Sequence, residues 1–178
     1  STGRIGVGTT NPGSLLAVAG GATMGTAYSN VVAPTNGLIV QGNVGIGISN
    51  PSSKLHVSGD IYATSDITAF SDQRFKTNIE RIPDALQKVI AINGYTFNVK
   101  DPETGVIGTR KHTGVIAQEL REVLPEAVTE SDDGVLGVAY GNIAGLFIEA
   151  IKEINAKLES STNYIHKLEE RIIELEKN

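Results

Sequence analysis

The C-terminal segment constrains the fold most. Ile151, Ile154, Leu158, Ser161, Ile165, Leu168, Ile172 and Leu175 follow one another at intervals of 3, 4, 3, 4, 3, 4 and 3 residues. That spacing is a heptad seam. With Ile151 at position a, the a positions hold Ile, Leu, Ile and Ile, the d positions hold Ile, Ser, Leu and Leu, and Arg171 and Glu176 fall at g and the following e. A helix lying on its own domain shows a wider apolar face than this. The pattern therefore predicts a coiled coil over 146–178, and with it at least one further chain. Ile at a with Leu at d leans toward two strands, whereas Ile at d leans toward three, so the seam leaves the number of strands open.

The opposite end of the chain carries an internal repeat: residues 3–20 lie over residues 42–59 at a constant offset of 39. Gly3-Arg4-Ile5-Gly6-Val7-Gly8 meets Gly42-Asn43-Val44-Gly45-Ile46-Gly47. Asn11-Pro12, Ser14, Leu16, Val18 and Gly20 meet Asn50-Pro51, Ser53, Leu55, Val57 and Gly59. Each unit reads as a short alternating strand, an Asn-Pro turn and a second alternating strand, with a further strand at Gly37–Gln41 between them. Such units have one thin apolar face each, and two copies make a marginal domain. A fibre in which chains pack around a common axis gives those faces partners; a small Gly-rich β-sandwich is the competing reading.

Composition points the same way. Twenty glycines, no tryptophan, no cysteine and only four Phe and five Tyr leave little bulky material for a large single-chain core. The net charge of −5 comes from interspersed acids and bases, which argues against nucleic acid and anionic membranes as partners. No apolar run reaches membrane-spanning length and the first residues lack a signal-peptide layout, so the expectation is a C-terminal piece of something longer. His56, His112 and His166 are scattered over the three segments without ligand spacing, so neither a metal site nor a cofactor is expected. The Gly-rich stretch at 42–47 lacks the following helix and Lys-Ser/Thr pair of a phosphate loop.

Near Ala69-Phe70 the composition changes: charges rise, glycines thin out and mixed helix and strand patterns take over. Pro83–Ile92 has helical spacing, with Pro83 in the first turn and Gly94 past the end. Tyr95–Val99 alternates as a strand, Asp101-Pro102-Glu103-Thr104-Gly105 is a turn, Val115–Leu124 is a helix stopped by Pro125, and Leu136–Tyr140 is a strand. The fold class is α+β, in three parts: a β-rich fibre segment over 1–70, a small mixed domain over 71–145, and the long C-terminal helix over 146–178.

The chemistry-bearing stretch is Ser71-Asp72-Gln73-Arg74-Phe75-Lys76, placed where the repeat segment meets the mixed one. A serine hydroxyl is a weak nucleophile until a base takes its proton, and a lysine serves as that base when burial lowers its pKa. Five residues of separation permit contact within a turn. On its own, Ser-Asp before a charged stretch is far more often a turn or a helix cap.

Ser71-Asp72-x-Arg74-x-Lys76-x-x-Ile79 is followed by Gly94-x-x-Phe97, Gly114-Val115-Ile116-Ala117-Gln118-Glu119-Leu120, Pro125-Glu126-x-Val128, Val138-x-Tyr140 and Ala150-Ile151-Lys152-Glu153. This ordered set resembles the C-terminal intramolecular chaperone domain of endosialidase-type phage tailspikes and tail fibres, and the upstream repeats look like the shaft segments that precede it. The resemblance implies a homotrimer that templates folding of the fibre segment before it, then releases itself through a serine–lysine dyad. It places Ser71 as nucleophile and Lys76 as base, with Asp72 and Arg74 holding the dyad and cleavage beside Ser71, at Phe70-Ser71 or at Ser71-Asp72. It also implies a trimeric coiled coil with Ile151, Ile154, Leu158, Ile165, Leu168, Ile172 and Leu175 as its seam. The location implied is a virion tail fibre or a bacterial surface, with a receptor or glycan reached through the parent fibre.

Two other readings compete. One is a trimeric cap that never cuts itself. The other is an adhesin whose loops, Asp101–Thr113 or Ala22–Thr35, bind a glycan; only Tyr28 offers an aromatic surface in the second.

Overall fold

The computed structural model describes residues 3–101 and 104–177. It divides into two compact units, Ser1–Ala69 and Phe70–Asn178.

The first unit is built from three-residue strands: β1 (Ile5–Val7), β2 (Leu16–Val18), β3 (Ala22–Met24), β4 (Leu38–Val40), β5 (Val44–Ile46) and β6 (Leu55–Val57). They form three separate parallel pairs, β1 with β2, β3 with β4, and β5 with β6. Strands this short let the chain loop back over residues 8–15 or 47–54, well under the dozen or so residues that a parallel connection ordinarily needs.

The two sequence repeats adopt one geometry. Ile5 pairs with Leu16 as Val44 pairs with Leu55. The Arg4 guanidinium donates to the Pro12 carbonyl at 3.1 Å, and at the equivalent place the Asn43 amide donates to the Pro51 carbonyl at 3.0 Å. Gly8 and Gly47 take φ of 73° and 70°, and a Cβ on Gly8 would lie 2.6 Å from the Ala19 carbonyl oxygen. Only glycine fits that backbone without displacement. None of the described residues of this unit is buried.

The second unit begins with a 3₁₀ turn at Gln73–Phe75 and continues through α1 (Ala85–Ala91), the antiparallel hairpin of β7 (Tyr95–Lys100) and β8 (Ile107–Gly114), and α2 (Ala117–Val123). A 3₁₀ turn at Pro125–Ala127 leads to the antiparallel pair β9 (Val128–Glu130) and β10 (Leu136–Val138), and a last one at Tyr140–Ile143 runs into α3 (Ala144–Glu176). Ala85 of α1, Leu120 of α2, Leu124 and Ala127 beyond it, Ile143, and Leu146 and Ala150 of α3 make the core. This unit is therefore mixed α and β, closed by a helix of 33 residues. Among the described residues no helix is long and apolar enough to cross a membrane.

Several local expectations change. Pro83 precedes α1 instead of opening it, because Asp84 takes a left-handed φ of 52° and the helix starts at Ala85. Asp84 offers no side-chain cap; the carboxylate of Glu153 on α3 accepts from the Ala85 and Leu86 amides at 2.7 and 3.0 Å. The stretch Leu136–Tyr140 is strand only to Val138, and Tyr140 opens the next turn. Neither proposed glycan loop is purely loop: Ile107–Thr113 belongs to β8 and Ala22–Met24 is β3. In the expected turn at 101–105, Pro102 and Glu103 lie outside the described residues; Asp101 accepts from the Gly105 amide at 2.9 Å through its carbonyl and from the Thr104 amide at 2.7 Å through its carboxylate.

Candidate functional site

The turn at 71–76 is made by its own residues. Asp72 stands at the N-cap of the 3₁₀ turn, where its carboxylate accepts from the Arg74 amide at 2.9 Å. The same carboxylate accepts from the Arg74 side chain, Nε at 3.1 Å and a terminal nitrogen at 2.6 Å, a forked arrangement that suits guanidinium geometry. These bonds hold the Asp72 carboxyl below the ordinary carboxylate range and raise the Arg74 guanidinium, the side-chain bond being the larger cause in both. The Lys76 amide closes the turn on the Gln73 carbonyl at 3.0 Å.

A turn of this length brings its two ends together. The Lys76 ammonium lies 2.7 Å from the Ser71 hydroxyl. The structure thus brings Ser71, Lys76, Asp72 and Arg74 into one cluster, with Phe70 immediately before it. Ser71 and Lys76 are both exposed within the single chain.

Phe75 is a residue that the spacing argument passed over. Its ring lies 5.2 Å from that of Phe70, tilted by 59°, and the Arg74 guanidinium carbon is 5.9 Å from its centre. The signal was present as a second pair at the separation of Ser71 and Lys76.

The remaining candidates are placed along α3. Ile151, Ile154, Leu158, Ile165, Leu168, Ile172 and Leu175 are all exposed, from 41% at Leu168 to 72% at Leu175. They run along one helix, with Ser161 between them. The histidines lie apart: His56 is 3.2 Å from the Ser52 hydroxyl, His112 stacks on Phe97 at 6.3 Å, and His166 lies beside Glu169 and Glu170.

A short serine–lysine turn thus stands at the head of a small α+β unit, and a long helix with an exposed apolar seam stands at its tail. Residues 71–129 match the family described as chaperone of endosialidase, and the match opens on Ser71. The chain is similar to the long tail fiber protein Gp37 of Enterobacteria phage K3, 34% identical over 111 residues, which cover 57% of this chain and 9% of that protein. It is also similar to the Gp37 of Enterobacteria phage Ox2, 32% identical over 117 residues and 45% of that protein, and of Salmonella phage S16, 35% identical over 106 residues and 14% of it. The chain thus spans less than half the length of each of these relatives.

Proposed function

We propose that residues 71–178 are an intramolecular chaperone of a virion tail fibre: the unit trimerises, templates folding of the fibrous segment before it, and then cuts itself off beside Ser71. The observation that carries the cutting step is the 2.7 Å contact between the Lys76 nitrogen and the Ser71 hydroxyl. The uncharged Lys76 amine takes the hydroxyl proton as Oγ bonds to the Phe70 carbonyl carbon. The Phe70–Ser71 amide bond then breaks, and the Ser71 nitrogen takes the proton back from Lys76. The resulting ester between Phe70 and Ser71 is hydrolysed by water, leaving a carboxylate on Phe70 and a free amine on Ser71. Folding itself presents the bond, so no substrate pocket is required.

Trimerisation is supported by the exposed seam of α3 and by a β-rich unit without one buried residue among those described. Both features gain apolar burial from further copies of the chain. Strands that lack local support need their chains brought into register first, which the chaperone's rapidly formed local contacts favour. A lysine acts as base only when uncharged, and burial favours that form. Ser71 and Lys76 are exposed here, so in this reading neighbouring chains cover them and assembly precedes the cut.

The test is the intact mass, in denaturant, of freshly expressed wild-type chain beside Ser71→Ala and Lys76→Ala. Two fragments meeting beside Ser71 in the wild type, with both variants whole, is the expected result. The exposure of the dyad favours one second reading, a trimeric cap that stays attached, and a whole wild-type chain would establish that instead.

A further inference from the structure

We propose that Phe75 is a positioning residue for the cut, its ring gripping Phe70 so that the Phe70 carbonyl is presented to the Ser71 hydroxyl. The inference rests on the self-cleaving reading above. Two contacts span the same 3₁₀ turn, each between residues five apart: the Phe70 and Phe75 rings at 5.2 Å, and Ser71 with Lys76 at 2.7 Å. Phe70 adjoins Ser71 and Phe75 adjoins Lys76, so the amide to be cut is held from both of its flanks.

Neither ring serves the core of its unit. Phe70 is 77% and Phe75 is 70% exposed, and neither is among the core residues or those packed against them. Large exposed aromatics that pack on each other hold a local geometry. Arg74 extends the hold: its guanidinium is forked on Asp72 while its central carbon lies 5.9 Å from the Phe75 ring centre. A line of contacts therefore runs from Asp72 through Arg74 and Phe75 to Phe70, ending on the residue that supplies the acyl carbon.

The chemistry needs such a grip. When a serine attacks the carbonyl of the residue before it, Oγ closes a five-membered ring with the amide being broken, and a free chain reaches that arrangement rarely. Holding residue 70 raises the fraction of time spent there and hence the rate, without touching the base.

The experiment follows fragment formation by intact mass in pulse-labelled full-length chain, with light scattering on the same samples to read the assembly. Phe75→Ala is expected to slow cutting by about tenfold or more at unchanged assembly, and Phe75→Tyr to restore the rate to within about twofold. The pH at which the rate is half-maximal stays where it is in the wild type, since Lys76 is untouched. Phe70→Ala slows cutting likewise, and Phe70→Ala with Phe75→Ala is no slower than the worse single variant, because both remove one contact. Cutting of Phe75→Ala at the wild-type rate overturns the proposal while leaving the dyad intact. So does a double variant slowed by the product of the two single effects, or a loss of rate that merely follows loss of assembly. A wild-type chain that stays whole removes the dyad reading itself, and the grip with it.

Discussion

Asp72 uses one carboxylate twice, as cap of the turn and as partner of the Arg74 guanidinium. Its folded pKa is depressed below the ordinary 3.8 by those bonds. Stability from such a group is present in full above the unfolded pKa and is lost as pH falls through the lower folded value. The turn at 71–76 is therefore expected to hold at neutral pH and to open only in acid below the ordinary carboxylate range. The Arg74 amide and Nε–H resonances in uncut Ser71→Ala chain report this, and Asp72→Asn should abolish the acid-dependent step. At this scale the sequence was informative because 71–76 is local: a cap and five residues of separation are readable without the rest of the fold. Phe75 was not read: its separation from Phe70 matches that of Ser71 from Lys76, but that match gains meaning only once the two rings are seen together.

Among the elements, α1 is unusual in that its N-terminal amides are satisfied from outside. The residue before it is left-handed and gives no side-chain cap, and Glu153 on α3 reaches both the Ala85 and the Leu86 amides. Glu153→Ala is expected to cost about 1–2 kcal/mol, by the loss of a cap and of hydrogen bonds to a charged acceptor. Urea unfolding of the Ser71→Ala chain, followed by the helical signal, measures that loss, and a change under about 0.5 kcal/mol would mean that water replaces the carboxylate. Helices with apolar periodicity were legible to within two residues, as in Ala117–Val123 within the expected Val115–Leu124. The strands β8 and β9 were not. Ile107–Gly114 contains Arg110, Lys111 and His112 and only one apolar side chain, so it is a strand because β7 pairs with it and not through any pattern of its own.

For the whole molecule, burial is uneven. Among the described residues the core consists of seven, all within 85–150, and the β-rich unit contributes none. If the chain folds as the proposed trimer, its thermal midpoint rises with chain concentration. Scanning calorimetry of Ser71→Ala chain over a hundredfold range of concentration is the check; Ile165→Lys, a charge placed on the seam, should lower the midpoint and the assembled fraction together, and a midpoint independent of concentration would argue for a self-sufficient monomer. Periodicity and repetition are one-dimensional properties, so the α3 seam, the 39-residue offset and the spacing of Ser71 and Lys76 were determined by the order of residues alone. What required the tertiary structure were contacts between residues far apart in the chain or without a periodic mark: the parallel pairing of strands only three residues long, the capping of α1 by Glu153 from 68 residues away, and the grip of Phe75 on Phe70. Each depends on where backbone directions converge in space, and that is set by packing and chain geometry rather than by the pattern of residue types.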